Sequence, residues 1–373
     1  MKFSCEKALL LAAISHVSRI IPSRSSIAAL EGILIETNDR LRLTGFNLEV
    51  GIRTELDVDV ERTGSVVVGA RLLGEIVRKL PDETVTFEMR DKLVMNIRCG
   101  QSVFDIASCL DGVSYPELPE VSEEQATMLP QALLRGMIHE TIFAVSDNEN
   151  KIIHTGSQFN WGEGKLVIVS VDGYRLALRR ESTEGAGFSG SFVVPGVALR
   201  EIERLLSDKE DETVKLVLGG RHISFFMGDT VLVTRLLEGD FLNYRTAMPA
   251  SLPVDVRLNI RDFTAGIERV SLLINEKIKN PVRLLVRPGG VDLSCRTSLG
   301  FAADACEAEV TGELPEAGIE IGFNHRYLLD ALHVLPGESF RLKLLSPLAP
   351  CVLMPDEGDA YFYMVLPVRL RAD

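Results

Sequence analysis

The chain has 373 residues, 46% of them apolar and 25% charged, with a formal net charge of −13. That length exceeds one ordinary core and implies two or three domains of roughly 100 to 150 residues, while the apolar share excludes intrinsic disorder. The longest apolar runs, such as KALLLAAI, fall far short of the roughly 20 residues of a membrane span, and no small-residue cleavage site follows the first helix-like stretch.

A cytosolic protein with no membrane segment is therefore expected. Its six cysteines agree. Cys5, Cys99, Cys109, Cys295, Cys306 and Cys351 form no C-x-x-C pair and meet no His at ligand spacing, which argues against a zinc site or a disulfide framework.

In chain order, the first helix is predicted over CEKALLLAAISHV, where apolar residues recur at helical spacing. Three alternating strands, GILIET, RLRLTG and LEVGIRTEL, and then a fourth lead on to the second helix. A second helix begins at Arg71, and strands ETVTFEM, KLVMNI and SVFDIAS come after it. The Pro-, Gly- and acid-bearing stretch LDGVSYPELPEVSEEQ reads as a linker. The pattern then restarts with a helix at PQALLRGMIHETIF and strands KLVIVS and YRLALRR, up to a second linker, LEGDFLNYRTAMPASLP. A third unit opens with the helix IRDFTAGIERV, and Val291, Leu293 and Cys295 alternate as in a half-buried strand.

The units repeat in detail. RLLGEIVRKLPDETVTFEM from Arg71, ALREIERLLSDKEDETVKLVL from Ala198 and YLLDALHVLPGESFRLKLL from Tyr327 are each an amphipathic helix, a polar turn and a strand. They recur about 126 to 129 residues apart, a spacing of whole domains rather than solenoid repeats.

Chemistry-bearing motifs are few. In VSVDGYRLALRR, Asp172, Tyr174 and Arg175 could supply an acid, a phenol and a cation, yet no His or second carboxylate lies at the spacing of a triad or a metal site. Asp172-Gly173 is also a good tight-turn pair between two strands. No G-x-x-x-x-G-K-[ST] loop is present, the acidic stretches SDKEDE and DEGDA lack EF-hand spacing, and His325 and His333 stand too far apart on one helix to share a metal.

Taken together, TGFNLEVGI, DGYRLA, EGDFLNY, INEKIK, GFNHRYLLDAL and the terminal LPVRL make the whole chain resemble the bacterial DNA polymerase III beta subunit family, the replicative sliding clamps. The resemblance implies an α+β fold of three similar DNA-clamp domains, each with two helices packed on antiparallel sheets, in a head-to-tail dimeric ring. The expected domains are 1–121, 127–247 and 248–373. It implies a non-catalytic processivity factor without metal or cofactor, in the bacterial cytoplasm and on the nucleoid during replication. Its implied partners are double-stranded DNA of any sequence, a second copy of the chain, the DNA polymerase III alpha subunit, the clamp loader, and other replication and repair proteins with a clamp-binding motif. A hydrolase-like enzyme using the Asp172 turn, or a protein-binding scaffold that never meets DNA, remain the alternatives.

Charge placement bears on the choice. Surface charges act over roughly 8 Å at physiological ionic strength, so an acidic exterior need not cancel a basic lining. Arg71, Arg78 and Lys79 on one helix, and Arg200 and Arg204 on another, lie at spacings that share a face. Singly these are ordinary solvated faces; their repetition and the resemblance make them candidates to face DNA. Arg24, in the loop where the family has a DNA-contacting Arg, Arg135 and Lys151 are further candidates.

The tail carries a second candidate surface. Pro367 removes a ladder donor, so the last strand should loosen there and leave Val368 and Leu370 near the surface. The family joins this tail and the Asp172 turn in a pocket for a short partner peptide. Carried over by position, its wall would be Leu176, Leu242, Leu348, Met364 and Leu366, with Arg175 and Asn324 orienting the peptide. His154, Val171, Gly173, Tyr174, Thr246, Ala247 and Ile278 would also belong to it, as would Tyr327, Pro350, Pro367, Val368, Arg369 and Leu370. His154, Val171, Thr246 and the extra terminal RAD depart from common family versions.

The subunit boundary should use Phe104 and Ile106, two apart on one strand, against Leu272 and Leu273, with a strand edge of each subunit pairing there.

Overall fold

The computed structural model describes residues 1–91, 93–107, 110–121, 126–183, 189–275 and 280–370. Cys109 and Ile278 lie outside the described residues.

Among the described residues one motif, strand–helix–three strands, occurs six times, twice in each repeat. The helices are α1 (Lys7–Ser18), α2 (Ala70–Lys79), α3 (Gln131–His139), α4 (Gly196–Leu205), the short α5 (Tyr244–Ala247) in the second linker, α6 (Ile260–Ser271) and α7 (His325–Leu332). Each long helix buries one stripe. In α2, Ala70, Leu73, Ile76 and Val77 are buried, while Arg71, Arg78 and Lys79 stay in water, two of them in the last turn where cations suit the helix dipole.

The sequence reading places a fourth strand before the second helix, where Gly64–Gly69 stands, but the strand that opens each repeat is absent from it. Residues predicted to start the first helix belong to the first of these opening strands: Cys5 pairs with Val85 and Glu6 with Thr84, so α1 begins at Lys7. Such a short strand, Lys2–Glu6, has too few residues for its alternation to stand out against the helix that follows. The linkers also differ from expectation, because each buries a tyrosine, Tyr115 in the first and Tyr244, on α5, in the second.

The chain forms two compact units, Met1–Arg135 with Arg200–Leu236, and Gly136–Leu199 with Leu237–Asp373. The division runs through the middle repeat.

In the first unit an antiparallel nine-stranded sheet runs in the order Leu110–Asp111, Gly64–Gly69, Gly32–Thr37, Leu41–Phe46, Val50–Leu56, Thr230–Arg235, His222–Met227, Thr213–Leu218, Ala126–Pro130. Two repeats meet in it where Ile52 pairs with Leu232. A five-stranded sheet, Asp59–Arg62, Lys2–Glu6, Thr84–Arg90, Val94–Cys99 and Ser102–Ile106, completes this unit.

The second unit repeats the plan. Its nine-stranded sheet runs Gly190–Pro195, Gly156–Gly162, Lys165–Val171, Arg175–Ser182, Tyr361–Val365, Cys351–Pro355, Ser339–Leu344, Val254–Asn259, Glu309–Thr311. Leu176 pairs with Met364 at the same kind of junction. The remaining sheet is Gly300–Glu307, Gly290–Thr297, Val282–Arg287, Ile319–Phe323.

Among the described residues, no helix is long and apolar enough to cross a membrane.

Candidate peptide pocket and DNA-facing surface

The Asp172 turn is built by its own carboxylate. Oδ1 accepts the amides of Tyr174 at 2.8 Å and Arg175 at 3.0 Å, and Oδ2 accepts Arg175 Nε at 2.9 Å. Gly173 supplies φ +93°, a left-handed conformation that any side chain would strain. Three of the four acceptor sites of the Asp172 carboxylate thus serve the turn, so its geometry is that of a hairpin brace. The same device recurs at the equivalent hairpin of the first repeat, where Asn47 Oδ1 accepts Glu49 N at 3.0 Å and Val50 N at 2.7 Å. Repetition at a second site marks it as architecture.

Arg175 is engaged on several sides within the protein. Besides Asp172 it donates to Asp330 and to the carbonyl of Phe143, and its guanidinium lies 4.5 Å from the Tyr327 ring centroid and 5.4 Å from that of Phe143. It braces the wall of the pocket and leaves few donors for a guest. The exposed Tyr174 ring stacks on Tyr327 at 6.4 Å, ending a column of Phe143, Arg175, Tyr327 and Tyr174.

Beneath this column Val171, Leu176 and Met364 are buried together with Val169, Leu178, Val352 and Tyr244, and Phe241, Ala247 and Met248 pack against them. The sheet junction makes this floor, since Leu176 faces Met364 across strands and Met364 faces Val352. Tyr244 and Phe241 were missed in the sequence; an aromatic at each end of a short linker stretch was the available signal. His154 meets Phe241 edge-on at 5.4 Å, and burial, with Lys151 nearby, holds its pKa below the usual 6.5.

The tail closes one side. After the strand ends at Val365, Leu366 N donates to Tyr174 O at 2.9 Å and Val368 N to Gly322 O at 2.8 Å. Leu370 covers Gly322, where a Cβ would stand 2.5 Å from Leu370 Cδ2. The loosening expected at Pro367 is therefore a change of partner, with Leu366 and Val368 exposed and Arg369 in water. Asn324 spends its side-chain oxygen as the N-cap of α7, accepting Arg326 N at 3.1 Å. Leu242 and Thr246 are exposed on the linker, Thr246 donating to Asn243 O. Leu348 and Pro350 lie on the loop before Cys351–Pro355, Leu348 72% exposed.

The cationic candidates of the first unit are exposed. A groove of 1160 Å³ between α1 and α2 is lined by Arg19, Arg71 and Arg78 among others. Arg71 pairs with Glu75 at 3.2 Å, Arg135 approaches Asp208 at 3.9 Å, and Arg204 pairs with Glu201. Arg24, Arg78, Lys79 and Arg200 have no carboxylate at ion-pair distance among the described residues. In the second unit, Lys151 is exposed on the 3-10 turn Glu149–Thr155.

Of the boundary residues, Phe104 is exposed, whereas Ile106 is 7% exposed and already belongs to the protomer core. Leu272 is 82% exposed and Leu273 half-buried, just past α6. The edge strands add apolar residues that the sequence reading missed: Val103 beside Phe104, and Leu299 and Phe301 at the start of Gly300–Glu307.

Three tandem repeats, two sheets continued from one repeat into the next, and an apolar floor between a turn and the tail describe a clamp-type subunit. The comparisons agree over the full length. Models of the N-terminal, central and C-terminal domains of the DNA polymerase III beta subunit match residues 1–119, 128–243 and 245–369. The beta sliding clamp of Bacillus subtilis is 30% identical over 99% of this chain and 100% of its own. The crystal structure of the DNA polymerase sliding clamp from Bacillus subtilis superimposes with a TM-score of 0.95 at 30% identity, covering 100% of both chains. A sliding clamp from Bartonella birtlesii, bound to griselimycin, gives 0.93 at 27% identity, covering 99% of this chain and 100% of its own. The chain belongs to the DNA polymerase III beta subunit family. Members of that family are non-catalytic sliding clamps that bind DNA, form dimers, interact with the polymerase and confer processivity.

Proposed function

We propose that the chain performs the clamp role through three surfaces: the Leu176–Met364 pocket, the exposed cations of the lining helices, and two unmatched strand edges. The edges carry the reading. At each junction the third strand of one half-repeat pairs with the third strand of a later half-repeat, Val50–Leu56 with Thr230–Arg235 and Arg175–Ser182 with Tyr361–Val365. That rule leaves Ser102–Ile106 and Gly300–Glu307 at sheet edges, both with exposed apolar residues. Because the two edges differ, each copy offers one half of a head-to-tail contact, and two copies close a ring with two such contacts. Phe104, Leu272 and Leu273 belong to this contact, with Val103, Leu299 and Phe301.

Arg24, Arg71, Arg78, Lys79, Arg135, Lys151, Arg200 and Arg204 then face the duplex. Phosphate contacts carry affinity without sequence information and can be exchanged one step along the helix, which suits sliding. The pocket takes the peptide of the polymerase alpha subunit, the clamp loader and other partners. The griselimycin complex of the Bartonella birtlesii relative supports a ligand-accepting surface on this fold. Burying two or three large apolar side chains contributes roughly 1.5 to 3 kcal/mol each, and ordering the peptide costs roughly 2 to 5 kcal/mol, so micromolar affinity fits. The domain models, matching 1–119, 128–243 and 245–369, favour domains close to 1–121, 127–247 and 248–373, and a clamp role suits the bacterial cytoplasm and the nucleoid during replication.

The test is topological. Rings loaded on a nicked circular plasmid should stay bound through gel filtration and leave when the plasmid is cut once. Equal retention on circular and linear DNA would refute encirclement.

A further inference from the structure

We propose that Arg19 is an additional phosphate contact of the DNA-facing surface, held in readiness by Glu201, which it shares with Arg204. This rests on the reading that the cations of the first unit face DNA.

Arg19 follows the last residue of α1 and lines the same groove as Arg71 and Arg78 of α2. Its Nε stands 3.9 Å from Oε2 of Glu201 on α4, while Oε1 of Glu201 takes a hydrogen bond from Arg204. Arg19 thus links the cations of α2, through the groove, to those of α4, through the shared carboxylate. The Glu201 side chain is only 13% exposed, and its Oε2 is shut off from water without a hydrogen-bond partner.

A buried carboxylate oxygen is costly to leave alone, so Glu201 draws a cation toward it. At 3.9 Å the attraction is coulombic and not a hydrogen bond. Arg19 can therefore turn to a passing phosphate without breaking a directional bond, and Arg204 keeps Glu201 paired meanwhile. Two guanidiniums against one carboxylate leave a net positive charge at the site. Such a contact is weak, renewable and compatible with sliding.

The experiment measures binding of the intact dimer to a fluorescent mixed-sequence duplex by anisotropy across a salt series. Arg19→Ala should weaken binding about threefold and lower the slope of log K against log salt by about 0.9, the share of one phosphate. Glu201→Gln should act oppositely and tighten binding about threefold, because it frees both guanidiniums while keeping the side-chain shape. The gain from Glu201→Gln should shrink in the Arg19→Ala background, whereas a gain that came from Arg204 alone would be undiminished there. Arg19→Gln, compared by thermal melting, guards against loss of fold in the Ala variant. If Arg78→Ala weakens binding while Arg19→Ala matches wild type, the Arg19 contact is overturned and the DNA-facing reading stands. If Arg78→Ala and Arg200→Ala also change nothing, that reading fails and the Arg19 contact with it.

Discussion

Replacing Leu272 and Leu273 together with Ala should open the ring without unfolding its subunits. Leu272 is 82% exposed in the protomer, so almost all of its side chain is available for burial by a second copy, whereas Leu273 is already half-buried. Truncation to Ala removes three carbons from each. At about 0.8 kcal/mol per CH₂ the loss is about 2 kcal/mol for Leu272 and about 1 kcal/mol for Leu273 at one interface. A closed dimer contains the contact twice, which brings the loss to about 6 kcal/mol, or about four decades in dissociation constant. Sedimentation velocity at submicromolar concentration should show monomer where wild type is dimer. The melting temperature should fall by no more than a few degrees, because Leu272 packs against little in the protomer. Peptide binding should survive, since the pocket is built from other residues. An intact dimer at submicromolar concentration would refute the assignment of these residues to the boundary.

Arg175→Ala should destabilise the second unit by about 2 to 3 kcal/mol and abolish peptide binding, because Asp172, Asp330 and the Phe143 carbonyl lose their shared donor; denaturant titration with a peptide assay checks both. Gly322→Ala forces a Cβ to within 2.5 Å of Leu370, so the tail should lift and peptide affinity fall about tenfold, with far-UV circular dichroism unchanged. His154 has a folded pKa lowered from 6.5 by burial, so its contribution is fully present above pH 6.5 and is lost as pH falls through the folded value. Wild-type stability relative to His154→Leu should accordingly decline as pH falls below 6.5, and a difference independent of pH would contradict the partly buried neutral ring. Leu176→Ala should weaken the polymerase peptide by about 1 kcal/mol or more in calorimetry while the dimer persists.

The amphipathic helices, the alternating strands and the period near 126 to 129 residues were legible in the sequence, because helix and strand periodicities are local properties of neighbouring residues. So was the Asp172 turn, whose carboxylate bonds only to residues up to three positions away. The strands that open each repeat were not, being short and continuous with helical patterns. Nor could the sequence show that Arg175 is engaged by Asp330 and Phe143, residues 155 and 32 positions away, or that Ile106 is core while Phe104 is exposed. The two units also cut through the middle repeat that the sequence presents as one piece. Tertiary structure decides these points because sheet pairing joins distant strands, and burial and hydrogen-bond supply depend on which neighbours that pairing brings together. Periodicity names the face a residue occupies; only the packed sheet decides whether that face is core, brace or open edge.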